Sequence, residues 1–586
     1  MAEFNISQNR MKQEVNPLHY LIIVLIGCVF FLPFLGNVHL FDWDEINFAE
    51  SAREMIVSGN YSKVQINFQG FWEKPPLFIW MQVISMKIFG INEFAARFPN
   101  AVFGILTLCL IYRTGKRNFK GHIAHWWVLC YLGAFTPHLY FKTGLIDPVF
   151  NFFIFLGILQ FFEALKNHSK AYNSNRHFLI AGLYTGIAIL CKGPVALLVC
   201  LLVLMSMVFA KRMVWFFSFS NIFLYLFITG LVSSIWFAPE TIQNGPYFII
   251  SFIQYQIELF SQNVAGHQQP FYYHPLVLLI GCFPVSIIAI AVWKRNEYYT
   301  YHENLFRTVM QCLFWVVLIL FSIVKTKIVH YSSLCWLPLT FLGAYSIESV
   351  YQGVYRFKWQ FKLFITFMGL VLSSALIAFP LTMKYNREFI INMINDDFSK
   401  ENFAANVDWQ IYDAAPGLLL FLLIITFVIL WNKNKPVKLF GSLLIGNIMV
   451  VFLASVLLTP KIEQHTQAAA INFFKSKENE KCYIFITGYK SYASYFYAKV
   501  RPLRYTDGLN LLNEKFIRSK GKKSFLALTE LEKHEYDDNQ KYWLLHGRVD
   551  RPVYFIAKSD DREGLENETS ISELWNKNGF VVYQRK

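Results

Sequence analysis

Runs of roughly twenty apolar residues, set apart by short loops carrying Lys and Arg, recur between His19 and Leu458 of this 586-residue chain. A helix of that length crosses the ~30 Å hydrocarbon layer of a bilayer, and in lipid only helices or closed barrels satisfy their own backbone. The runs are continuous rather than short and alternating, which excludes a barrel. Only 16% of residues are charged, against roughly 25% in ordinary globular domains. The fold class is therefore a polytopic α-helical membrane protein. A net charge of +15 could suggest nucleic acid, but the basic residues sit in the short loops, where they set topology instead. Nine cysteines occur, none in a CxxC pair, so neither a disulfide framework nor a thiolate metal site is expected.

The excess of Lys and Arg in cytoplasmic loops orders the chain. Arg10 and Lys12 stay inside, and an uncleaved first span, His19–Gly36, leads out to a loop over 37–91. Within that loop Pro75–Gly90 is apolar but short, bounded by Pro-Pro and Lys87, which suits a helix lying along the membrane surface. Further spans are expected at Asn92–Tyr112, His122–His138, Asp147–Leu165, Phe178–Cys191, Val195–Ala210 and Ser218–Ala238. After a second outer loop, 239–274, come Pro275–Trp293, Val309–Val324, Tyr331–Ile347, Leu363–Thr382, Ala415–Trp431 and Leu439–Leu458. The count is about thirteen. The tail, 459–586, is charged and carries strand-length apolar runs at Cys482–Thr487, Tyr542–Leu545, Val553–Ile556 and Gly579–Tyr583, with helices near Ser491–Lys499 and Leu509–Ser519. The expected division is a membrane domain, 1–458, and a small soluble α/β domain outside it, 459–586.

Ionisable residues at membrane depth are costly and mark function by default. This topology gathers Asp44, Glu73, Lys74, Asp147, Lys192, His267, Lys325 and Lys327 at one face. Each has a plainer reading. The segment Phe41–Trp80, with Asp42, Asp44, Glu45, Glu50, Arg53 and Glu54, could be an amphipathic loop with a solvated face. Asp147, before Pro148, could be a helix N-cap, Lys192 a snorkelling lysine beside Gly193-Pro194, and His267 a loop histidine. Together they suit something else. Carboxylates for acid–base or charge-stabilising work stand beside lysines, with His330 and Tyr331, that bind phosphate as point charges. A phosphorylated, lipid-linked substrate entering from the bilayer fits that combination.

Four motifs then carry a specific resemblance: DE…AE..REM from Asp44 to Met55, EKPPL from Glu73 to Leu77, NEFAARFPNAVFG from Asn92 to Gly104, and KGP from Lys192 to Pro194. In this order and spacing the chain resembles the bacterial ArnT-like transferases, a GT-C-type family related to protein O-mannosyltransferases. The resemblance implies a GT-C membrane domain with periplasmic interfacial helices and a periplasmic α/β domain, in a multi-pass protein of the bacterial inner membrane. It implies transfer of a sugar from a polyprenyl phosphate to lipid A or another periplasmic acceptor, 4-amino-4-deoxy-arabinose being the sugar in the best-known members. By the same resemblance Asp44 and Asp147 are catalytic carboxylates, Lys74 holds the lipid phosphate, Tyr331 lies near it, and Glu73 and His267 bind a divalent metal such as zinc. Lys192, Lys325, Lys327 and Glu45 complete the candidate substrate and phosphate contacts. Two positions depart from the family, Asn47 and Glu258, where Arg is expected. Both make the site less cationic, so transfer to a protein or glycan hydroxyl stays open beside transfer to a phosphate. A lipid-linked-sugar flippase is the alternative from another class, though internal repeats and midplane charges are missing from the sequence. The expected partners are membrane lipids, the donor and the acceptor, with no nucleic acid and a monomeric chain.

Overall fold

The computed structural model describes residues 16–586 except 168–173, 211–215, 262–268, 293–296, 432, 434, 505, 523–524 and 526–527. Helix α1 (Pro17–Phe31) starts at Asn16, whose side chain accepts from the Leu18 N–H, and leads to α2 (Asp44–Ser58). Two residues each of β1 (Gln65–Ile66) and β2 (Gln69–Gly70) form a hairpin before α3 (Leu77–Phe89). At 1.5 Å rise per residue, α3 is about 20 Å long, too short to cross, and it packs on α2 and on α4 (Glu93–Asn118). Its Gln82 is buried and donates to the Ala96 carbonyl at 2.8 Å.

The bundle continues with α5 (Ile123–Leu132), α6 (Phe135–Tyr140), α7 (Asp147–Asn167), α8 (Asn175–Lys192), α9 (Val195–Ala210) and α10 (Phe219–Asn244). The outer loop then folds into a further helix, α11 (Pro246–Ser261). After it come α12 (Tyr273–Gly281), α13 (Val285–Ala289), α14 (Tyr301–Ile323), a 3-10 segment Val329–Cys335, α15 (Trp336–Tyr351) and α16 (Trp359–Tyr385). Short α17 (Arg387–Met393) and α18 (Asp397–Ala404) precede α19 (Ala415–Trp431) and α20 (Pro436–Thr466). Every expected span coincides with a helix or a broken pair of helices. Among the described residues seven helices are both long and apolar enough to cross a membrane. Helices α8 and α10 approach closely because Gly182 and Gly186 leave no side chain between them; a Cβ on either would lie 2.6 Å from Tyr225 O or Val232 Cβ. In the interior, the Asn447 amide donates to the carbonyls of Gly133 and Phe283, tying α20 to two breaks in the neighbouring helices.

The tail forms α21 (Ala468–Ser476), α22 (Ala493–Tyr497), α23 (Gly508–Ser519), α24 (Glu530–His546) and α25 (Glu563–Glu566) around a four-stranded sheet. Its strands β3 (Tyr483–Ile486), β4 (Val553–Lys558), β5 (Ile571–Lys577) and β6 (Phe580–Arg585) run in the order β3-β4-β6-β5, parallel only between β3 and β4. One expected strand is corrected: Tyr542–Leu545 lies inside α24, where Leu544 and Leu545 are the buried stripe of a longer amphipathic helix capped by Thr529. Strand β5 was not expected, because Ser572, Glu573, Asn576 and Lys577 leave it little apolar signal.

Candidate functional site

Three chain breaks meet at one end of the bundle. Helix α7 starts at Asp147, and α8 stops at Lys192 because Gly193, at φ +104, and Pro194 cannot continue it. Helix α2 starts at Asp44, after Trp43 at φ 73. The basic residues lie at the other end of α4 and α7, where Arg117 faces Glu163 at 3.6 Å and Lys166 donates to Asn118.

The Lys192 ammonium donates to Asp147 Oδ1 at 2.6 Å. Asp147 is nearly inaccessible, its side chain 4% exposed, and its Oδ2 has no hydrogen-bond donor among the described residues. His330, in the 3-10 segment, stands between the two carboxylates: Nε2 is 3.6 Å from Asp44 Oδ2 and 3.9 Å from Asp147 Oδ2. These distances exceed hydrogen bonds but leave strong electrostatic contact. Burial holds the His330 ring toward its neutral form, against the pull of Asp147 and Asp44. Asp44, by contrast, is 35% exposed. Lys192 also lies over the Tyr331 ring, 5.0 Å from its centre.

A second group adjoins the first. Lys74 lies 5.4 Å from the ring centre of Tyr255 on α11, whose hydroxyl donates to Glu73 Oε2 at 2.9 Å. Burial and the Glu73 charge both raise the Tyr255 phenol, so it remains a donor. The other Glu73 oxygen faces Lys490 of the tail at 4.0 Å. No group of three metal-binding side chains forms among the described residues. His267 lies outside the described residues.

Glu45 does not join the cluster as expected. Glu45 points inward and pairs with Arg97 through two contacts, at 2.8 and 2.9 Å, while also accepting from the Phe41 and Gly144 N–H groups. It is a structural anchor. Lys325 is exposed, and Lys327 is buried nearby, between Thr326 and the 3-10 segment. Asn47 is buried on α2, and Glu258 accepts from Gln254 on the outer face of α11. Tyr255, Lys490 and the central place of His330 were missed. The buried Phe248 and Phe252, followed by Tyr255 at helical spacing, were the signal that α11 was a helix delivering that tyrosine.

The family model for dolichyl-phosphate-mannose-protein mannosyltransferases matches residues 73–242. In fold, the chain superposes on the crystal structure of ArnT from Cupriavidus metallidurans bound to undecaprenyl phosphate with a TM-score of 0.71, covering 97% of this chain and 98% of that one at 17% identity. The fold is that of this ArnT structure. Two sequence relatives are named undecaprenyl phosphate-alpha-4-amino-4-deoxy-L-arabinose arabinosyl transferase. The one from Photorhabdus laumondii is 26% identical over 371 residues, 62% of this chain and 66% of that protein. The one from Wigglesworthia glossinidia brevipalpis is 27% identical over 363 residues, 58% and 60%. The matched stretch thus spans just under two thirds of those relatives' length.

Proposed function

We propose that the chain is an integral-membrane glycosyltransferase that moves a sugar from a polyprenyl phosphate to an acceptor at the periplasmic face of the bacterial inner membrane. Residues 1–458 would be its catalytic membrane domain and 459–586 its periplasmic cap. The observation that carries this reading is the pairing of an accessible carboxylate, Asp44, with a buried Asp147–Lys192 pair around one histidine. Undecaprenyl phosphate is named both for the relatives and for the ArnT complex, and it supports the choice of donor.

In this reading an acceptor oxygen attacks the anomeric carbon while the bond from that carbon to the phosphate oxygen breaks. Positive charge grows on the sugar and negative charge on the departing phosphate. Lys74 and Lys192 would supply the cations that stabilise the phosphate, and the Asp44 carboxylate would offset charge on the sugar. With a hydroxyl acceptor, Asp44 takes its proton; with a phosphate acceptor no base is needed. Asn47 and Glu258 leave fewer cations for an acceptor phosphate, which keeps the hydroxyl acceptor as the second reading. No step is assigned to a metal.

Purified chain in nanodiscs, given polyprenyl-phosphate sugars and candidate acceptors, tests this. Release of free polyprenyl phosphate with sugar on the acceptor supports the proposal. Movement of the donor across the bilayer without cleavage supports a flippase. Mass spectrometry of envelope glycolipids and glycoproteins from cells with and without the gene then names sugar and acceptor.

A further inference from the structure

The chain just before Asp44 is held far more tightly than a loop requires. Trp43 sits at φ 73 and ψ −126, a backbone conformation that glycine adopts freely and a bulky residue only under constraint. No side chain caps α2 there. The Trp43 N–H donates to the adjacent Asp42 Oδ1 at 2.9 Å, and the backbone just before it is held from elsewhere in the sequence. Gln467, the residue at which α20 ends and the tail begins, donates its amide to the Leu40 carbonyl at 2.9 Å and accepts from the Asp42 N–H at 3.2 Å. Tyr497, at the end of α22, accepts from the Leu40 N–H at 2.7 Å and is itself 4% exposed. Glu463 holds His39 at 2.8 Å, and Arg97 donates to the carbonyls of Leu35, Val38 and His39.

We propose that Gln467 and Tyr497 are positioning residues that hold the strained Trp43 backbone and thereby aim the Asp44 carboxylate at the site. Gln467 grips two backbone groups on either side of one residue, so it fixes direction as well as position. Strain of this kind persists only where surrounding contacts over-determine it, and both contacts lie within four residues of Asp44. The membrane–tail junction is thus built into the geometry of the site. The inference rests on the proposed role of Asp44.

The test uses the full-length protein and its transfer assay. Gln467→Ala and Tyr497→Phe are each expected to lower kcat roughly ten- to hundredfold, with little change in the KM for donor. Trp43→Gly supplies the same φ without strain, so it should retain most activity, and Gln467→Ala in that background should then cost less than about threefold. That non-additivity separates aiming from mere folding support, which would cost the same in either background. Equal losses in both backgrounds, an inactive Trp43→Gly, or a change confined to KM would each overturn the proposal. Asp44→Asn separates the two ideas. If Asp44→Asn is dead while Gln467→Ala turns over normally, the clamp fails alone. If Asp44→Asn is fully active, the proposed function fails.

Discussion

Asp44 and Asp147 both open helices at the same end of the bundle, and they have opposite surroundings. Asp147 is buried, ion-paired at 2.6 Å with Lys192, and preceded by ordinary loop backbone. Asp44 is 35% exposed, has no ion-pair partner closer than His330 among the described residues, and follows a strained residue. A buried, paired carboxylate is a fixed charge, since removing either partner strands the other. An accessible one held by backbone strain is free to meet a substrate. Within the proposed function, the contrast favours Asp44 for the reacting role and Asp147 for an orienting one.

A combined loss of turnover and stability is expected at the buried member. Asp147→Asn should lower turnover by about a thousandfold and also lower the melting temperature, because the Lys192 ammonium loses its partner. Adding Lys192→Met should restore the melting temperature but not turnover. Recovery of both would make the pair purely structural and break the comparison.

Next comes Glu45, adjacent to Asp44 yet bound to Arg97. Glu45→Gln leaves a buried guanidinium short of charge and should destabilise the fold by about 3 kcal/mol, read by thermal unfolding, with donor KM unchanged in the folded protein. A raised KM with unchanged stability would return Glu45 to the substrate.

A smaller, pH-dependent effect is expected at Glu54, farther along α2. Burial and the neighbouring Glu50 charge push its carboxyl up to about 9, while the Phe68 N–H and Arg53 pull the other way. The folded state therefore keeps a proton that the unfolded chain releases above its ordinary value near 4.5. Its stabilising contribution is full below that value and fades as pH rises through about 9. Glu54→Gln should melt higher than the wild type at pH 8 and alike at pH 4.5, by a thermal-shift series. A constant gap across pH would contradict the buried, protonated state.

The smallest change expected is for Tyr255→Phe. It deletes one hydrogen bond to Glu73 and should cost roughly two- to tenfold in kcat/KM, measured with the donor. No change would confine the working site to the Asp44–Asp147 pair.

Much of this was legible in the sequence because apolar runs and basic loops are local signals. They located the helices, and the topology they imply gathered Asp44, Lys74, Asp147 and Lys192 at one end. What was not legible depends on contacts distant in sequence. Glu50, Arg53 and Glu54 look like a solvated stripe on α2, yet they are buried because the tail covers that face, with Arg53 donating to the Val500 carbonyl. Glu45 and Asp44 are equivalent by type and are told apart by distant partners of Glu45, above all Arg97, 52 residues away. Tyr542–Leu545 has strand composition but lies in a helix set by a cap at Thr529. Nothing local to Leu40 or Asp42 announces Gln467.

The most direct measurement is single-turnover transfer from a polyprenyl-phosphate sugar by the wild type, Asp44→Asn and Asp44→Glu, each confirmed folded by its melting curve. The account predicts cleavage of the donor by the wild type, a loss of about a thousandfold or more in Asp44→Asn, and partial activity in Asp44→Glu. Donor cleavage by Asp44→Asn at the wild-type rate would contradict it.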